Sequence, residues 1–188
     1  MNMLKSMLKF RFSREEAFDL LKAWLAVSIA FFIVYFGFSI DDFLIKFSSI
    51  ALIVGAAFIL HELAHKFVAV NYGYFAEFRS FDKMLLIGIV LSFFKFIFLA
   101  PGAVHVVGNV KYDENGKISV AGPITNIILA VLFIFIDTSF STFGYHINSW
   151  LAFFNMLPFF GLDGSKVLLW NKVVFFVTIG IAGLLTFL

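Results

Sequence analysis

The chain contains no cysteine among its 188 residues. Disulfides are thereby excluded, as is any metal site built on thiolates, which leaves histidine and carboxylates as the available ligands. Charge is scarce too: Asp, Glu, Lys and Arg make up 14% of the chain, where a soluble domain carries about a quarter. With 62% hydrophobic residues, the composition is that of a polytopic membrane protein with almost nothing left over for a soluble domain. The net charge of +2 is too small, and its basic residues too scattered, for nucleic-acid binding. No internal repeat, low-complexity tract or linker divides the sequence, so residues 1–188 read as one integral-membrane domain. Residues 1–19 lack a small-residue cleavage site and are expected to be a basic cytoplasmic flank rather than a cleaved signal.

What is present is a series of apolar stretches at about 20–38, 47–70, 84–100, 120–136, 147–162 and 170–188. Crossing the hydrocarbon layer takes roughly 20 helical residues, so the fold class is an all-α polytopic membrane protein with five to six transmembrane helices. Ser13 followed by Glu16 resembles a capping box and places a helix start before the first span. The fourth stretch reaches spanning length if its helix continues past Ile136. Pro158, Gly161 and Gly164 should interrupt the fifth near Asn155–Gly164. Asn115-Gly116 between Val110 and Ile118 predicts a short membrane-associated β-hairpin near 101–120.

Within the second stretch lies Ile59-Leu-His61-Glu62-Leu-Ala-His65. Histidines four apart share one helix face, about 6 Å apart along the axis. Two such imidazoles can bind one Zn²⁺, and the adjacent Glu62 can act as general base on a metal-activated water. Ionisable groups at bilayer depth are costly, and a metal gives three of them a reason to cluster. A catalytic zinc takes three protein ligands. The candidates for the third are His105, Asp137, His146 and Asp163, with Glu77, Asp82, Asp113 and Glu114 in more polar segments. Asp163 stands out, because it sits where the broken backbone of the fifth stretch can aim a carboxylate inward. The competing reading, less favoured, is that it caps the following helix.

Three elements in this order, His61-Glu62-x-x-His65, Gly122-Pro123-Ile-Thr-Asn126 and Asn155-x-x-Pro158-x-x-x-Leu162-Asp163-Gly164, resemble the site-2 protease family of intramembrane zinc proteases over a core of about 48–170. The resemblance implies one Zn²⁺ held by His61, His65 and Asp163, with Glu62 activating water. It further implies hydrolysis of a peptide bond in the transmembrane segment of a membrane-protein substrate, near the cytoplasmic side. Asn155 matches an asparagine that contacts substrate or the developing oxyanion; Asn126 packs or caps. Gly122-Pro123 also reads as a helix start with Pro at the first position. The chain departs from shorter members in the extra stretch at 84–100, and its 188 residues hold no room for the PDZ or CBS modules of larger ones. Two readings from other classes compete: a metal-ion transporter or channel using the same ligands, and a catalytically dead relative that binds transmembrane partners.

Charge sets the expected orientation. If 84–100 dips into the bilayer and returns, thirteen of the fourteen Lys and Arg residues fall on the cytoplasmic side, Lys46 being the exception. Lys95 suits a shallow dip. Water is then expected to reach the metal through a polar cleft on the side of Lys66.

Overall fold

The computed structural model describes residues 10–37, 41–97, 101–136, 140–159 and 161–188. Helix α1 (Arg14–Phe36) starts where Ser13 Oγ accepts the Glu16 N–H at 3.1 Å. It ends at Gly37, whose φ of 63° turns the chain in a way a side chain would resist. Helix α2 (Phe43–Asn71) is 29 residues long and carries His61, Glu62 and His65. Its outward stripe Leu44, Leu52, Leu60 and Phe67 is exposed, as a lipid-facing surface would be. Gly55 lets α2 approach α1, where Trp24 Nε1 donates to Ala51 C=O at 2.7 Å.

Strands β1 (Phe75–Ser80) and β2 (Gly102–Val107) form a two-stranded antiparallel sheet in the register Phe75 with Val107 to Ser80 with Gly102. Between them lies helix α3 (Asp82–Ser92). The two ends of this excursion meet, since Phe81 N–H donates to Pro101 C=O at 2.9 Å. The excursion is long rather than shallow. It leaves beside Lys22, which pairs with Asp82 at 2.6 Å. Near its far end, Lys95 Nζ donates to Ile33 and Val34 C=O in the last turn of α1. Lys95 therefore finds its partners at the end of α1 opposite the sheet.

Helix α4 (Tyr112–Ile134) takes the place of the turn and second strand of the hairpin expected at 101–120, while β2 is its first strand. Asn115-Gly116 lies in its first half, and Gly116 is there for packing: a Cβ would come within 2.3 Å of Trp170. Asp113 and Glu114 in the first turn, and the Asp113–Lys117 pair at 2.9 Å, favour a helix over a turn. So α4 gains its length upstream of residue 120, not beyond Ile136, and Pro123 lies inside it rather than at its first position. Helix α5 (Ser141–Asn155) stops just before Pro158, as the sequence anticipates. The last stretch is helix α7 (Lys172–Phe187), set off from helix α6 (Asp163–Trp170) by Asn171, whose side chain caps α7 by accepting from Val173 and Val174 N–H. Three of the described helices, α1, α2 and α4, are long and apolar enough to cross a membrane; α7 is a shorter apolar helix. The core between α1, α2 and α5 is Val27, Phe31, Ile50, Val54, Ala57, Ile147 and Leu151.

Candidate metal centre

His61, Glu62 and His65 are buried on the side of α2 that faces α4. Asp163, the first residue of α6, does not cap its helix. Its carboxylate instead reaches His61 Nε2 at 3.4 Å and His65 Nε2 at 3.1 Å, and the two Nε2 atoms lie 3.0 Å apart. The loop before it explains the aim. Gly161 adopts φ 72°, and at Gly164 a Cβ would fall 2.0 Å from the Met156 carbonyl oxygen, so α6 starts pressed against the end of α5.

The outer ring nitrogens define which atoms face the centre. Asn126 donates both amide hydrogens, to Ala57 C=O at 3.0 Å and to Asn148 Oδ1 at 2.9 Å, so its own Oδ1 must accept from His61 Nδ1–H at 2.5 Å. Asn148 is in turn held by Gly144 C=O. His65 Nδ1–H donates to Ile118 C=O at 2.7 Å. With each Nδ1 bonded outward, both rings turn Nε2 inward, beside a carboxylate oxygen. Two Nε2 atoms and a carboxylate oxygen face one another, a donor set suited to one metal cation. Tetrahedral zinc with ligands at 2.0–2.1 Å separates them by about 3.3 Å, close to the triangle seen here. The buried group His61, His65 and Asp163 can hold one metal ion.

Gly122 backs directly onto this point. A Cβ there would lie 2.4 Å from His65 Nε2 and 2.6 Å from His61 Nε2. Pro123 has no N–H to offer the Ser119 carbonyl one turn earlier, and Ser119 lines the cavity in front of the site. Glu62 Oε2 is buried without a hydrogen-bond partner among the described residues. The cavity it shares with the three ligands has a volume of about 130 Å³ and is walled by β2, α4, Asn155 and Lys166. Lys166, one turn along α6 from Asp163, has no ion-pair partner among the described residues.

Of the other third-ligand candidates, Glu77 pairs with Arg79, Asp82 with Lys22, Asp113 with Lys117, and Glu114 accepts from Tyr74. His105 is exposed on β2 opposite Glu77. His146 is exposed on helix α5, not in a loop. Asp137 lies outside the described residues. Asn155 lines the cavity while donating to Leu151 C=O at 3.0 Å. Lys66 does not mark the cleft, being buried against Glu16 at 2.5 Å. The sequence reading missed Asn148 and the partnership of Glu16 with Lys66. Buried polar residues on apolar helices were the available signal.

Long apolar helices around a buried histidine–carboxylate triad define a membrane-associated metal-binding protein. The chain is 43% identical over 176 residues to MJ0611 of Methanocaldococcus jannaschii, named provisionally as a zinc metalloprotease, covering 88% of this chain and 89% of that one. It is 26% identical over 149 residues to zinc metalloprotease MJ0392 of the same organism, covering 74% of this chain and 39% of that protein. No family-level sequence profile and no solved structure matches. The chain belongs to the zinc metalloprotease family that includes MJ0611, consistent with a minimal site-2 protease-like form, and its cofactor is Zn²⁺.

Proposed function

We propose that this protein is an intramembrane endopeptidase that cuts the transmembrane segment of a membrane-protein substrate. The observation that carries the reading is the unpartnered Glu62 Oε2, buried beside three convergent ligand atoms on a helix long and apolar enough to cross a bilayer. His61, His65 and Asp163 would hold the zinc. When bound, zinc supplies Lewis acidity, lowering the pKa of water toward neutrality and polarising a carbonyl. Glu62 takes the proton from the attacking water and returns it to the leaving amine. Asn155 spends one N–H on Leu151 and keeps the other for the oxygen of the scissile carbonyl.

A helical substrate must unwind, because its carbonyls are tied to its own N–H groups. β2 offers an alternative partner. The Phe81–Pro101 bond sets the alternation of the ladder, so Gly102, Val104 and Val106 turn their N–H and C=O away from β1. All three residues line the cavity, and an extended segment added there would pass in front of the ligands. The transporter reading fits less well. Behind the site Asn126 and Asn148 are bonded to each other and to backbone, and the apolar core closes the path.

The test uses a synthetic single-span peptide with an apolar segment of about 20 residues, reconstituted with the protein in liposomes. Cleavage should cease on stripping the metal with a chelator and return with Zn²⁺. Cleavage that survives metal removal would sink the reading. We further propose a multi-pass topology with 84–100 re-entrant and the site toward the cytoplasm, on the grounds that the sheet end of the fold gathers Arg79, Lys83, Lys111 and Lys117. A cysteine at exposed Lys111 should then resist an impermeant thiol reagent added outside intact cells and react once cells are opened. Labelling from outside would refute that orientation.

A further inference from the structure

We propose that the buried Glu16–Lys66 pair is a positioning device that fixes the sheet against the catalytic helix and thereby sets which bond of a substrate strand is cut. The inference rests on the reading of β2 as the substrate's partner strand. Glu16 is 0% exposed and Lys66 1%. Lys66 Nζ donates to Glu16 Oε2 at 2.5 Å and to Arg11 C=O at 2.6 Å, and lies 4.3 Å from the centre of the Phe12 ring. The other carboxylate oxygen, Oε1, accepts the Phe78 N–H at 3.1 Å. Glu16 therefore does not close the reciprocal half of a capping box. Its side chain is turned to a different use.

A buried ion pair is a poor way to gain stability, since well-packed apolar residues of similar volume often serve as well or better. What it supplies is direction. Lys66 follows His65 on α2, and Phe78 stands opposite Val104 across the sheet. One carboxylate thus links the ligand-bearing helix to the strand whose partner walls the cavity. The neighbouring ties along β1, Arg79 to Glu15 at 3.3 Å and Ser80 to Asp19 at 3.0 Å, are wetter: the Glu15 side chain is 84% exposed and that of Arg79 32%. Exposed pairs of that kind hold geometry weakly. Glu16 also occupies the outer edge of β1, leaving the cavity side of β2 as the edge open to an incoming strand.

Side chains of a strand alternate faces, so a paired substrate can slip only in steps of two residues without turning its apolar face over. Loosening the sheet should therefore add cuts displaced by two residues. The test is the Glu16→Leu/Lys66→Met double variant, which fills the site with apolar volume and leaves no orphan charge. Purified and reconstituted with the single-span peptide, it should keep one zinc per chain, raise KM about tenfold with kcat within about threefold, and yield products ending two residues from the native cut. Glu16→Gln in the Lys66→Met background, which keeps an acceptor for Phe78 N–H and leaves no orphan charge, should restore the single cut. A folded, zinc-loaded double variant with the native cut alone and an unchanged KM would overturn the proposal, as would Glu16→Gln in the Lys66→Met background behaving like the double variant. Val104→Pro removes an outward N–H from β2. If it leaves KM unchanged while the double variant still shifts the cut, the partner-strand reading fails and the positioning role stands.

Discussion

Replacing Glu62 with glutamine is expected to lower the rate of peptide cleavage by about 10²–10⁴-fold, the usual worth of a positioned general base, while one zinc per chain stays bound. The amide fills the same space and leaves His61, His65 and Asp163 untouched, but it cannot take a proton from water. Glu62 Oε2 has no partner to lose, so the change breaks no hydrogen bond of the resting protein that involves that atom. Initial rates and metal content, measured on the same preparation, check the prediction. Loss of zinc would mean that Glu62 is a ligand, and normal activity would remove it from the mechanism.

Gly122→Ala should be nearly as severe for a different reason. The added methyl would lie 2.4 Å from His65 Nε2 and 2.6 Å from His61 Nε2, on the ground a metal between those atoms would occupy. Alanine is better than glycine in a helix interior by about 1 kcal/mol, so α4 should persist and the damage should stay local. Zinc affinity is expected to fall at least about tenfold, by analogy with the loss of groups that support a metal site, with the circular dichroism of the helices unchanged. Full zinc occupancy with full activity would show that the imidazoles do not converge beneath Gly122.

The motif on α2 was legible because its chemistry is local. Four-residue spacing puts His61 and His65 on one face whatever the rest of the chain does. Asp163 was legible through its setting, a carboxylate at a break made by Pro158 and Gly161. The supporting contacts were not. Asn126 meets Asn148 across 22 residues, and Glu16 meets Lys66 across 50. No local pattern encodes which buried amide or charge will face which. Asn115-Gly116 misled for an instructive reason: glycine serves turns through its backbone freedom, yet here its missing side chain admits Trp170 between two helices. The sheet was half legible. An extended segment after residue 101 was expected, but its partner is Phe75–Ser80, on the far side of the α3 excursion, where nothing in the turn chemistry could point.

The most direct test of the account is the position of the cut. The wild-type protein, reconstituted in liposomes with the single-span peptide, should yield two fragments whose masses place the cleaved bond inside the apolar segment, and Glu62→Gln should yield neither. A bond cut only in the polar flanks, or the same fragments from Glu62→Gln, would contradict it.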